Sequence, residues 1–333
     1  MGDSEAAAPA PRTVPMPAPV GSPVCGQIGR RLARLPSGPM QLAVDTVAPR
    51  TQPPDGAALP VVLLHGQPGS PLEWEAVVAE LGEDHRVLVP IRPGYRGDPA
   101  EATNWAGNAT ALLDLLDQVG IERALVVGYS WAGGAAIEAA IRAPARVAGL
   151  VLVSSVGDRR AVNWVDSLLA RPLLARAFAP LVARCAPLLA RFAARGAGSR
   201  LRPQGRALLR AAMSDIRRGH GWLAAATEQR ALLRDADCLA RRLRRVSVPT
   251  VVVAGRRDTN VPFKASQGLA TAIPGARLHA VPRAGHLLPV EAPEEIATAV
   301  HAVPMAAAPA GLAGAVPAVP RAHTRGAPGH GRR

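Results

Sequence analysis

The sequence predicts an α/β fold: a mostly parallel, twisted sheet with helices on both faces and one helical insert. Three observations carry this expectation. Runs such as Val61-Val62-Leu63-Leu64, Leu125-Val126-Val127 and Val251-Val252-Val253 are apolar without alternation. Strands covered on both faces read this way, whereas a half-exposed strand alternates. Between these runs lie segments with apolar residues at helical spacing, and regular strand–helix alternation is the signature of a parallel sheet. The third observation is a break in that alternation over residues 156–246, where helix-like runs at 168–184 and 188–195 are interrupted by Pro172, Pro180 and Pro187, and a later run covers 221–245. With 333 residues, 48% of them hydrophobic, the chain is long enough for one large core plus this insert.

In chain order, residues 1–38 are rich in Pro and Ala with little period and read as a disordered tail. Residues 41–47 form an early strand and 61–64 a buried one. Ser70 caps a helix running through Leu81, with Trp74 on its inner face. A strand at 86–91 follows. Thr103 caps the next helix, which ends near Gly120 and places Leu112, Leu113, Leu115, Leu116 and Val119 at helical spacing. The remaining strands fall at 124–127, 147–153, 250–254 and 276–281, and residues 304–333 are a second tail of Ala, Pro, Gly and Arg. The core is thus 39–155 plus 247–303.

Composition excludes several functions. The formal charge of +14 suggests nucleic acid or an anionic membrane. The cations, however, are almost all Arg, Lys264 being the single Lys, and Arg fills the tails as well, as the coding bias of a GC-rich genome would produce. With aromatics at 3%, stacking platforms for nucleic acid are not expected. No G-x-x-x-x-G-K-[ST] loop exists, so that type of phosphate cradle is excluded. Cys25, Cys185 and Cys238 form no C-x-x-C pair, which points to a reducing, cytoplasmic setting. No secretory leader is expected from Met1 to Arg12, where Asp3 and Glu5 stand and no leucine-rich core follows, and no apolar run is long enough to span a membrane.

The chemistry centres on Leu125-Val126-Val127-Gly128-Tyr129-Ser130-Trp131-Ala132-Gly133-Gly134. A strand that reverses into a helix within about four residues must hold its turn residue in a strained conformation, and only small side chains fit on either side. Gly128 and Ala132 occupy those places, Gly133 and Gly134 let the helix press on the sheet, and Ser130 is presented at the top. Downstream, Gly255-Arg256-Arg257-Asp258 releases an Asp after a strand, and Gly285-His286 puts a His in a loop after the last one. Ser, Asp, His is the chain order of one triad architecture, distinct from the two common protease orders.

On these residues, with His65-Gly66-Gln67-Pro68-Gly69, Val261-Pro262 and Glu291-Ala292-Pro293-Glu294, the sequence resembles the α/β-hydrolase superfamily over residues 40–303. Two departures stand out. Ala132 replaces the usual Gly, and the loop after the fourth strand of that fold, Pro90-Ile91-Arg92-Pro93-Gly94-Tyr95-Arg96-Gly97, lacks the usual acid. The resemblance implies that 156–246 is a helical lid inserted after the sixth strand, its apolar face lining a pocket.

The expected catalytic residues are Ser130 as nucleophile, His286 as general base and Asp258 as its orienting acid. Asp158 is a competing position for the acid, but Arg159 and Arg160 beside it can neutralise it as a surface pair. Pro68 has no N–H, so the backbone amides of Gln67 and Trp131 are the expected oxyanion donors, and His65 with Gly66 supports that loop. No H-E-x-x-H or similar set calls for a metal, and no cofactor is required. The expected partner is a small-molecule acyl compound: an ester, thioester, lactone or amide, or a compound cleaved hydrolytically at a C–C bond beside a carbonyl. A ligand receptor or scaffold with this fold and negligible turnover is the alternative.

Overall fold

The computed structural model of the protein describes residues 40–46, 59–82, 84–95, 101–162 and 221–304, with 167, 170, 171, 185 and 206 singly. Seven strands among them form one sheet: β1 (Gln41–Asp45), β2 (Val61–Leu64), β3 (Val87–Ile91), β4 (Ala124–Tyr129), β5 (Val147–Val153), β6 (Thr250–Gly255) and β7 (Arg277–Val281). Their spatial order is β1-β3-β2-β4-β5-β6-β7. Only β1 runs antiparallel, on β3; every other pair is parallel.

Alternation of side chains across the pleat divides the apolar strands between two cores. Val62, Leu64, Val126, Leu150, Leu152 and Val252 face one cluster, and Val61, Leu63, Val127, Val151, Val153 and Val253 face the other. The first is covered by α2 (Trp105–Gln118) and α3 (Ala132–Arg142), with Leu232 and Leu239 of α4 (Gly221–Arg242) and Leu269 of α5 (Phe263–Ala272). The second is covered by α1 (Glu75–Leu81), by Leu288 of the short α6 (Leu288–Glu291), and by α7 (Pro293–His301). No helix of the described residues is long and apolar enough to cross a membrane.

From β2 the chain steps outward to β3 and then returns past β2 to β4, so the strand order reverses between β2 and β4. Open α/β sheets bind ligands at such a crevice, beyond the carboxyl ends of the strands. Val61 pairs with Leu125 and Leu64 with Gly128, which brings the residues after β2 alongside Tyr129 and Ser130.

Strand 147–153 is the fifth of the described strands in chain order, and residues 47–58, between the first two of them, lie outside the described residues. Several other expectations are corrected. The cap of α2 is Asn104, whose side chain accepts from the Gly107 N–H at 3.0 Å, rather than Thr103. Ser70 caps as expected, but its hydroxyl starts a 3-10 turn, Pro71–Trp74, that leads into α1. Helical run 221–245 is α4 followed by a 3-10 turn, Leu243–Arg245, and its inward face is not purely apolar, because Glu228 and Gln229 are buried on it. The expected tails over 1–38 and 304–333, apart from Pro304, and the runs at 168–184 and 188–195, apart from Ala170 and Arg171, lie outside the described residues.

Candidate active site

Ser130 has φ of 54°, the left-handed region that side chains other than Gly rarely occupy. Tight packing holds it there. Its N–H donates to the Val153 carbonyl at 2.9 Å, and its own carbonyl accepts from Gly133 N at 3.1 Å and Val156 N at 3.0 Å. A Cβ on Gly128 would lie 2.8 Å from Gly133 Cα and 2.9 Å from the Ala132 carbonyl, so the close crossing of β4 and α3 requires Gly there. Gly133 thus lies against β4 as expected, whereas Gly134 serves another contact. A Cβ on Gly133 would strike Ser155, and one on Gly134 would strike the Trp105 indole, so Gly134 allows α3 to approach α2 rather than the sheet.

Loops after β6 and β7 bring the other two groups to Ser130. Gly255 packs so closely on the Ala284 and Gly285 carbonyls that a side chain has no room, which locks one loop against the other. Ser130 Oγ donates to His286 Nε2 at 3.1 Å, and His286 Nδ1 donates to Asp258 Oδ2 at 2.8 Å. The remaining carboxylate oxygen, Oδ1, accepts from Asn260 N at 2.9 Å and Val261 N at 2.8 Å, which fixes the plane of the acid. A carboxylate acceptor on Nδ1 assigns the ring proton to that nitrogen and turns the Nε2 lone pair toward Ser130. Asp158 does something else: it caps the 3-10 turn Arg159–Ala161 by accepting from Arg160 N at 2.7 Å. Its ion pair is with Arg160 at 3.8 Å, while Arg159 pairs with Asp237.

Two residues that support the His286 loop carried no sequence-based role. Glu291 Oε2 accepts from Gly285 N at 2.6 Å, and the Tyr129 hydroxyl donates to the His286 carbonyl at 3.1 Å. Glu291 stands in the quoted Glu291-Ala292-Pro293-Glu294 segment, so its spacing from His286 was the available signal.

Beyond β2, Gly66 lies against the strand end: a Cβ there would meet the Tyr129 ring at 3.0 Å and Ser130 Cβ at 3.3 Å. His65 is fully buried. Arg92 N donates to its Nε2 at 3.1 Å, so Nδ1 carries the proton and donates to the Gly66 carbonyl at 3.1 Å. Burial first, and then the Arg92 charge, holds the imidazole well below its usual pKa and keeps it neutral. Burial also pushes Glu73, next to this loop, up to about 8, against the pull of the Gly66 and Ser70 N–H groups. Among the described residues, neither the Gln67 nor the Trp131 backbone N–H donates to a protein acceptor.

Behind the same loop is a cluster that sequence reasoning missed. Arg92 is buried and donates from Nε to the His65 carbonyl at 2.8 Å and from Nη2 to the Gly66 carbonyl at 2.7 Å. It also forms a two-toothed ion pair with buried Glu228 of α4, whose Oε2 accepts from the Tyr95 hydroxyl at 2.6 Å. Burial pushes the Glu228 carboxyl up, and the guanidinium pulls it back. Arg92 lay in the one loop whose missing acid marked a departure, which was the only signal.

A reversed parallel sheet with a strained serine turn at its switch point defines an α/β-hydrolase fold. The chain belongs to the Alpha/beta hydrolase family, whose family model matches residues 61–299. It is 33% identical over 249 residues to a 2-hydroxymuconate semialdehyde hydrolase of a Pseudomonas species, covering 71% of this chain and 83% of that one. It is 32% identical to a pimeloyl-[acyl-carrier protein] methyl ester esterase of Aromatoleum aromaticum, covering 73% of this chain and 97% of the relative. A probable hydrolytic enzyme of Pseudomonas aeruginosa superposes with a TM-score of 0.61 at 24% identity, over 79% of this chain and 88% of the other, and shares the fold. Family membership and the two curated relatives support an enzyme of the hydrolase class.

Proposed function

We propose that the protein is a serine hydrolase that cleaves a carboxylic ester, thioester, lactone or similar acyl substrate through Ser130, His286 and Asp258. One observation carries this reading: an unbroken hydrogen-bonded chain from Asp258 through His286, at 2.8 and 3.1 Å, ends on a serine with positive φ at the sheet's switch point. His286 Nε2 takes the proton as Ser130 Oγ attacks the carbonyl carbon, and Asp258 stabilises the imidazolium that forms. The carbonyl π pair moves to oxygen, where the Gln67 and Trp131 amides receive it. That neither donates to another acceptor among the described residues supports this role, and such a donor is worth about 3 kcal/mol of barrier. Collapse expels the leaving group with the proton from Nε2, and water repeats the cycle on the acyl-enzyme.

Residues 156–246 serve as the lid in this account. Hydrogen bonds from Gln67 Nε2 to the Ala225 carbonyl and from Trp131 Nε1 to the Glu228 carbonyl, at 3.2 Å for the second, support its placement beside the nucleophile. A cytoplasmic location accords with the free Cys185 and Cys238. The relative named as a methyl ester esterase favours an ester among the substrate classes. A panel of aryl esters, lactones and vinylogous diketones, assayed with the parent and with Ser130→Ala, tests the proposal. Steady release from at least one of them, lost in the variant, is expected; absence of turnover across the panel would favour the receptor alternative.

A further inference from the structure

We infer that Arg92, held by Glu228, is a positioning residue that sets and strengthens the oxyanion hole from behind, and that one turn of α4 controls it. The inference rests on the reading of the Gln67 and Trp131 amides as oxyanion donors. A peptide unit is planar, with its C=O and N–H pointing in opposite directions. The Gly66 carbonyl and the Gln67 N–H belong to the same unit, so whatever grips that oxygen from the rear aims the N–H at the front. Two donors grip it: Arg92 Nη2 at 2.7 Å and His65 Nδ1 at 3.1 Å. Charge-assisted hydrogen bonds are the stronger kind, and a bond received at the oxygen polarises the amide and makes its N–H a better donor.

Arg92 reaches the second donor residue as well. Its guanidinium carbon lies 4.8 Å from the centre of the Trp131 ring. Trp131 is fixed at two further points, by Nε1 donating to the Glu228 carbonyl at 3.2 Å and by its own carbonyl accepting from Trp105 Nε1 at 2.9 Å. Ala225 and Glu228 are one helical turn apart. From that turn run three tethers: the Ala225 carbonyl to Gln67, the Glu228 carbonyl to Trp131, and the Glu228 carboxylate to Arg92. Displacement of this part of α4 therefore releases both oxyanion donors together.

A stability role explains the pair poorly. Arg92 and Glu228 side chains are 0% exposed, and the loss of hydration of two fully buried charges offsets much of their attraction. Fixed dipoles behind an oxyanion have another effect: they lower the barrier without tightening the hold on the planar substrate.

The test compares the parent with Arg92→Lys and Glu228→Gln, using p-nitrophenyl acetate as substrate and a matched pair of inhibitors. An aryl trifluoromethyl ketone adds Ser130 Oγ to its carbonyl carbon, sends the π pair to oxygen and passes the serine proton to His286, so its affinity reports the oxyanion. The corresponding methyl ketone binds planar. Expected in both variants are a fall in kcat of about 10-fold or more, a KM within about twofold, a trifluoromethyl ketone Ki raised by the same factor as kcat/KM falls, and an unchanged methyl ketone Ki. Lys keeps the charge but not the fork that holds two carbonyls at once, so it should not restore kcat.

If the pair only ties α4 to the core, KM and both inhibitors weaken together and kcat holds, which overturns the inference. Should neither variant fold, Tyr95→Phe carries the test, since it removes only the hydroxyl on Glu228 Oε2. A kcat reduced about threefold at constant KM supports the inference and an unchanged kcat refutes it. Failure of the underlying reading looks different: the parent itself then binds the trifluoromethyl ketone no more tightly than the methyl ketone, whatever the Arg92 variants do.

Discussion

Replacing Asp258 by Asn changes one atom and reverses the polarity of the whole hydrogen-bonded chain. Oδ1 accepts from Asn260 N and Val261 N at 2.9 and 2.8 Å, so the oxygen of an Asn amide must occupy that position. Its NH2 then faces His286 Nδ1 across the 2.8 Å contact and donates to it. The imidazole proton is forced onto Nε2, which now points a hydrogen at Ser130 Oγ, 3.1 Å away, and has no lone pair to receive the serine proton. In a serine hydrolase of an unrelated fold the same substitution lowers kcat about 10⁴-fold by this tautomer reversal. That corresponds to about 5.4 kcal/mol of barrier, and we expect a loss of that order here. The exchange is isosteric, so the thermal midpoint should move by no more than a few degrees. Steady-state kinetics on p-nitrophenyl acetate, with a melting curve for each variant, provide the assay. Asp158→Asn serves as the control, because Asp158 caps a 3-10 turn and pairs with Arg160, while His286 Nδ1 bonds Asp258. Activity within tenfold of the parent in Asp258→Asn, or a large loss in Asp158→Asn alone, would refute the assignment.

Gly128→Ala drives a Cβ to 2.8 Å from Gly133 Cα and 2.9 Å from Ala136 Cβ. The overpacking should cost about 1–3 kcal/mol in unfolding free energy, and by shifting the Ser130 turn about 100-fold in kcat/KM; kinetics and stability both at parent level contradict it. Glu73 keeps its proton in the folded state up to about 8, whereas the unfolded chain releases it from 4.5. The unfolded state thus binds fewer protons between those values and stability falls as pH rises, by at most about 1.4 kcal/mol per unit. Urea melts should show the stability of the parent relative to Glu73→Gln declining from about pH 5 to about pH 8 and level above it; a constant difference would refute the burial argument. Salt between about 0.05 and 0.5 M should affect kcat/KM for a neutral and a matched anionic ester alike, since the Arg excess is compositional, and a selective loss for the anionic ester would assign it a steering role.

Much of the site was legible because its chemistry sits where local rules are strict. Ser130 lies two residues after Gly128, where no side chain fits; Asp258 follows the fully buried strand β6, and His286 follows Gly285 in the loop after β7. Strand 147–153 was readable to the residue for the same reason, being apolar throughout and buried on both faces. The cap of α2 was not, because Thr103 and Asn104 are both good cap formers and the choice between them is made by backbone angles that sequence does not display. The Arg92 and Glu228 pair was not legible either. Its members stand 136 positions apart, and hydropathy assigns each to the surface. Only the meeting of β3's end with α4 makes their burial affordable, and tertiary contacts of that kind leave no period in the chain.

The central claim, that Ser130 is the nucleophile activated by His286, is tested most directly by a fluorophosphonate probe with intact-mass analysis and peptide mapping. The oxygen of Ser130 displaces fluoride at phosphorus while His286 takes its proton, leaving one phosphonyl group on the protein. The account predicts a single adduct on Ser130, formed in step with the loss of esterase turnover, absent in Ser130→Ala and formed more slowly by orders of magnitude in His286→Ala. An adduct that maps to another residue, or one that forms at the parental rate in Ser130→Ala, would contradict it.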